Sequence, residues 1–171
     1  MDRHPGGLEH SRYMLELAFL PSGSRWLDMG AGDGSTMNFI ESQGTFCEGI
    51  DLCPRGPYVR KGSYLHMDYL DGSFDGVISQ CSFYLSGDPA GAFREAARVL
   101  RRGGRLVYSD VCYDGKALVE MVRQAGFSVR HIEDLTPQWR DYYLEALWSD
   151  DCGCVPRGKG CSYLLLVCER M

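Results

Sequence analysis

Residues 26–36, reading WLDMGAGDGST, bring together the residue types that let a backbone receive a ligand. Gly30, Gly32 and Gly34 would let the chain approach a bound group closely, and the free N–H groups of a following helix can face an anion. Ser35 makes the pattern G-x-G-x-G and not the G-x-G-x-x-G of a nicotinamide or flavin fingerprint. A second signal lies in Glu48-Gly-Ile-Asp51, where an acidic residue closes the next apolar run. A carboxylate there can accept both hydroxyls of a ribose. Turn and carboxylate together describe a nucleoside-containing ligand. The plainer reading is an ordinary strand-to-helix turn beside a surface aspartate.

The elements that must hold these residues alternate between short apolar runs and amphipathic stretches, the pattern of a parallel α/β sheet. The pattern predicts a helix over 8–20 and a first strand over 25–29. A helix over 35–43 and a second strand over 46–50 follow. A third strand is expected over 64–67 and a fourth over 76–79. Phe93, Ala96, Ala97 and Leu100 recur at helical spacing, with Gly103 and Gly104 closing that helix. A strand over 105–109 comes next. Leu118, Val122 and Ala125 mark another helix, ending at Gly126. The last elements are a strand over 127–132, an aromatic-rich helix over 137–148 and a buried strand over 162–168.

The chain has 171 residues, 44% of them hydrophobic and 24% charged, which fits one globular domain over 1–171. A net charge of −5 disfavours a nucleic-acid backbone as the main partner. No apolar run reaches the ~20 residues of a membrane span, and the N-terminus has no apolar signal core. The expectation is a soluble cytoplasmic protein, monomeric or homodimeric, whose eight cysteines are mostly reduced thiols.

With these residues the chain resembles the class I S-adenosylmethionine-dependent methyltransferases, of the methyltransferase type 11-like group. The family's glycine motif is matched at 26–34, its strand 2 motif at Gly49-Ile50-Asp51, and its DGSFD-x-V at Asp71–Val77. Its REAARVLRPGGRLV is matched at Arg94–Val107, with Arg102 where proline is usual. The likeness is strongest to the small-molecule branch of arsenite and ubiquinone-type enzymes. It implies a Rossmann-like, doubly wound, three-layered sheet of seven mostly parallel strands, the last antiparallel and inserted between strands 5 and 6. It also implies S-adenosylmethionine as cofactor and a small-molecule acceptor. Backbone at Gly30, Ala31, Gly32 and Gly34 would line the methionine moiety, with Asp28 near its amino group. Asp51 would hold the ribose and Leu52 the adenine. Asp68, flanked by Met67 and Tyr69, would meet the adenine amino group, and Gln80 would face the sulfonium. Sixteen residues separate Asp51 from Asp68, and they include Pro54 and Pro57. The helix usual there is therefore expected to be shortened or missing.

Residues 1–20 would form an N-terminal helix or lid, against the alternative of a frayed terminus. The candidates for chemistry are Cys81 and Tyr84 past strand 4, and Tyr13 in the lid. The histidines lack any recognisable catalytic motif and read as structural or exposed. Cys81 and Cys112 both follow central strands and could share one mouth. Cys152, Cys154 and Cys161 lack the pairs of a zinc site. They read as free thiols in an ordinary loop, with a soft-metal or metalloid site as the alternative. The basic run Arg98, Arg101, Arg102 and Arg105 reads as a solvated helix end. A catalytically inactive cofactor-binding protein is the rival functional reading.

Overall fold

Trp26, Leu27 and Met29 are buried on both sides of the chain, so Arg25–Met29 (β1) must be an interior strand. The computed structural model describes residues 5–19, 21–148 and 160–171, with nothing stated for the side chains of 143–148. Seven strands form one sheet in the order β3-β2-β1-β4-β5-β7-β6. Around β1 lie Phe46–Asp51 (β2), Val59–Lys61 (β3) and Phe74–Gln80 (β4), all parallel. Leu100–Cys112 (β5) continues the parallel set. Ser162–Arg170 (β7) then inserts antiparallel between β5 and Phe127–Asp134 (β6). The antiparallel insertion of the last strand between β5 and β6 is the one the resemblance implies.

Among the described residues, five α-helices cover the two faces. Gly7–Ala18 (α1), Ser35–Ser42 (α2) and Thr136–Trp148 (α5) pack on the face that carries Trp26, Ile78, Val107 and Tyr163. Pro89–Val99 (α3) and Gly115–Gln124 (α4) cover the face of Leu27, Phe74, Val77 and Leu106. Gly76 on β4 is required by packing: a Cβ there would lie 2.3 Å from the Trp26 ring. No helix among the described residues is long and apolar enough to cross a membrane.

Several expectations need correction. The third strand is Val59–Lys61, not 64–67. Tyr64 and Met67 are buried as expected of a strand, but they pack without a ladder, and Tyr64 is held by its hydroxyl donating to the Ser82 carbonyl at 2.8 Å. Residues 52–58 contain no helix, in line with the short link. The helix expected to close at Gly103 ends at Val99, because Leu100 is already extended and pairs with Phe74 of β4. The glycines thus lie inside β5. Cys81 and Cys112 do not share a mouth, since Cys81 packs with the α1-side cluster and Cys112 belongs to the opposite one.

Arg98 is not a solvated helix end. Its guanidinium donates to Glu95, to Asp71 and to the carbonyls of Met67 and Tyr69 at 2.6–3.0 Å. It therefore ties the irregular stretch before β4 to α3. Arg98→Ala should lower stability by about 1–3 kcal/mol in urea unfolding, the scale of leaving buried acceptors unpaired. A loss below ~0.5 kcal/mol would show that those carbonyls find water instead.

Candidate functional site

The carboxyl end of β1 runs into the glycine turn, where Gly30 has φ 93° and its Cβ would fall 2.1 Å from Ser82 Oγ. Only glycine meets both conditions. The Gly30 and Ala31 N–H groups donate to the Ile50 carbonyl, which fastens the turn to the end of β2. Gly32 N–H donates to Asp51 Oδ2 at 2.9 Å, and Cys53 N–H donates to Asp51 Oδ1 at 2.8 Å. Each carboxylate oxygen keeps a lone pair for a further donor. Leu52 beside it is exposed. The Arg55 N–H donates to the Gly32 carbonyl at 2.8 Å, so the link after β2 folds back against the turn.

Asp28, one residue before the end of β1, is 4% exposed. Burial first, then the charges of Asp51 and Asp33, push its carboxyl up to about 7. An ammonium group beside it would favour the ionised form.

Across the same edge, Gln80 at the end of β4 accepts hydrogen bonds from Ser11 and Thr36 through Oε1, both at 3.1 Å. Its Nε2 is buried and has no partner among the described residues. Reversing the amide would only exchange which end is unpaired. An unpaired buried amide at the mouth of a glycine turn fits a ligand with hydrogen-bonding groups of its own.

Of the other predicted residues, Ala31 is buried in the turn and Gly34 starts α2. Asp68 and Tyr69 gather elsewhere, around Arg60. Asp68 pairs with the guanidinium at 2.6 Å, which lies over the Tyr69 ring, while the Tyr69 hydroxyl donates to Glu48. Met67 packs into the α3-side core. These three are not brought to Asp51 by any of those contacts.

The three candidates for chemistry separate. Cys81 has φ 51°, and its Sγ lies 3.3 Å from the Tyr163 hydroxyl. Burial pushes its thiol up to about 12, so it is neutral at physiological pH. Tyr84 faces Tyr113, hydroxyl to hydroxyl at 3.4 Å, and its N–H donates to buried Asp110. Burial pushes that carboxyl up to about 6. Tyr13 donates to Glu133 Oε2 at 2.8 Å.

Sequence reasoning missed a polar chain at this edge. His10 Nε2 lies 3.2 Å from Ser109 Oγ, which lies 2.9 Å from the Tyr163 hydroxyl. His10 is thus docked on the sheet, and α1 is no frayed terminus. No local signal announces a contact spanning 99 residues. His66 and His131 add nothing to this chain, and His4 lies outside the described residues. So do Cys152 and Cys154, while Cys161 is half-buried. Among the described residues no three metal-ligating side chains come together.

A family profile described as a methyltransferase domain matches residues 27–108. That segment, just under half of the chain, resembles the methyltransferase domain of class I S-adenosylmethionine-dependent enzymes. The matched segment runs from β1 into β5 and contains the glycine turn, Asp51 and Gln80; α1 and the β6–β7 pair lie outside it. The arsenite methyltransferase of Aquipseudomonas alcaligenes is 43% identical over 58 residues, 34% of this chain and 16% of that protein. The sarcosine/dimethylglycine N-methyltransferase of Halorhodospira halochloris is 33% identical over 101 residues, 49% of this chain and 36% of that one. The chain therefore spans less than two thirds of either relative. In structure it is similar to the Haemonchus contortus phosphoethanolamine N-methyltransferase 2 complexed with phosphomonomethylethanolamine and S-adenosylhomocysteine. There the TM-score is 0.81 at 15% identity, covering 98% of this chain and 54% of that one, which speaks to the fold.

Proposed function

We propose that the protein transfers a methyl group from S-adenosylmethionine to a small-molecule acceptor. The observation that carries this reading is the Gly30–Gly34 turn, with the Asp51 carboxylate 2.9 Å from Gly32 N and the unpaired Gln80 amide at the same edge. Ribose hydroxyls would meet Asp51, the adenine would lie on exposed Leu52, and the methionine ammonium would meet Asp28. The unpaired Gln80 amide would serve the methionine end. Asp68 keeps a role at the adenine only if its bond to Arg60 is exchanged on binding. The bound cofactor supplies an electrophilic methyl group. The protein aligns the acceptor with it and excludes water.

A small acceptor is favoured by the net charge of −5 and by Ser79–Tyr84, which lacks an Asn/Asp-Pro-Pro-aromatic motif. The names of the curated relatives point the same way. The free thiols of the described cysteines fit a reducing compartment, which supports a cytoplasmic location.

Calorimetry with S-adenosylhomocysteine tests the cofactor. Wild-type protein should bind, and Asp51→Ala should weaken binding by about 1.5–3 kcal/mol, the scale of hydrogen bonds to a charged group. Absence of binding at millimolar ligand would sink the reading. An unchanged affinity in the variant would remove only the ribose assignment. Binding with no methyl transfer to any of a broad set of small acceptors would favour the inactive alternative.

A further inference from the structure

A cavity of about 340 Å³ opens between α1, the end of β6 and the start of α5 and β7. That is the lower end of small-molecule pockets. Its wall includes Glu9, His10, Tyr13, Glu133, Leu135 and Tyr163. Tyr163 also reaches the β4 end, where its hydroxyl lies 3.3 Å from Cys81 Sγ. The cavity therefore adjoins the edge at which the methyl group would be presented.

The chemistry of the wall is one-sided. Its two acidic side chains, Glu9 and Glu133, stand beside the Tyr13 and Tyr163 rings. Glu133 receives the Tyr13 hydroxyl and His131 Nε2, both on Oε2, which leaves Oε1 for another donor. Glu9 has only a loose pair with Arg12 at 3.9 Å, on the exposed side of α1. Carboxylate and aromatic faces together select a cation, while Leu135 and Pro5 suit an apolar body. A carboxylate or phosphate ligand would be repelled.

We propose that this cavity is the acceptor site and that its acceptor is a small amine with an apolar body. Glu133 and the two tyrosine rings hold it as an ammonium, and His10 takes its proton. This rests on the methyl-transfer reading above. An ammonium has no lone pair, so one N–H proton must first pass to the His10 imidazole, whose Nε2 is hydrogen-bonded to Ser109. The freed nitrogen lone pair then forms the new N–C bond as the methyl carbon's bond to sulfur breaks. That electron pair stays on sulfur, which leaves as an uncharged thioether, and the product is the methylated ammonium.

The test is calorimetry on the full chain, with and without saturating S-adenosylhomocysteine. The probes are propylamine, phenethylamine and tryptamine, each beside its alcohol (1-propanol, 2-phenylethanol, tryptophol), plus 3-phenylpropionate. At least one amine should bind about tenfold or more tighter than its alcohol, with no binding of the carboxylate. Glu133→Gln should erase the preference for amine over alcohol while melting temperature and S-adenosylhomocysteine affinity hold. His10→Asn should keep amine binding within about threefold of wild type, yet lower kcat for methylation of the bound amine by about 100-fold at steady KM. Alcohols that match the amines, or no amine binding in protein that binds S-adenosylhomocysteine, would overturn the proposal. So would a preference that survives Glu133→Gln. Failure of S-adenosylhomocysteine itself to bind would instead overturn the methyl-transfer reading, and the amine preference measured without it would then report on the cavity alone.

Discussion

Gly30→Ala should destabilise the protein by about 2–5 kcal/mol and abolish detectable S-adenosylhomocysteine binding. Two terms contribute. At φ 93° an alanine is forced into a region that L residues avoid, which costs about 1–2 kcal/mol. The new methyl would also fall 2.1 Å from Ser82 Oγ and 2.5 Å from Ser82 Cβ. Ser82 cannot swing away freely, because its hydroxyl donates to Tyr64 and its carbonyl accepts from the same tyrosine. Overpacking of this kind costs about 1–3 kcal/mol. The terms separate in the double variant Gly30→Ala with Ser82→Gly, which should recover the packing term and keep the backbone one. Urea unfolding measures both. A single variant within ~0.5 kcal/mol of wild type would mean that the turn has another conformation.

The second large effect is a dependence of stability on pH that runs opposite to simple acid denaturation. Folding raises the Asp28 carboxyl from its ordinary 3.8 to about 7, so between those values the folded state holds more protons than the unfolded one. Stability must then fall as pH rises through that window, by at most about 4 kcal/mol from this group. Asp110, raised to about 6 by burial, acts in the same direction. The carboxylates that arginines hold low, such as Glu95 and Asp75, act the other way, their contribution being lost only in more acidic solution. Ligand-free protein should therefore be more stable at pH 5.5 than at pH 8 in chemical unfolding. Asp28→Asn should flatten most of that slope and raise stability at pH 8. If Asp28 meets the ligand's ammonium, the same change should weaken S-adenosylhomocysteine binding, and wild-type affinity should increase between pH 6 and pH 7 as the carboxylate ionises. A level profile, or a variant whose profile parallels wild type, would contradict the burial argument.

The sequence by itself determined the features written in short-range patterns. Gly30, Gly32 and Gly34 follow an apolar run, and Asp51 closes the next, so turn and carboxylate were legible from spacing alone. The period of Phe93, Ala96 and Ala97 likewise announced α3. Its end was not legible, because Leu100 belongs equally to a helical face and to β5, and pairing with Phe74 across an irregular register decides it. The third strand was misplaced for a related reason: Val59–Lys61 is a three-residue edge strand that exists only by its register against Gly49–Asp51, whereas Tyr64 and Met67 look like a strand because they are buried. The His10, Ser109, Tyr163 and Cys81 chain could be read from no segment. Tertiary structure alone made it, when β7 entered antiparallel between β5 and β6 and set Tyr163 opposite Val111. Local sequence sets what a residue prefers to be next to along the chain. Which distant side chains share a pocket depends on strand order and register, and those follow from burying both faces of the sheet at once.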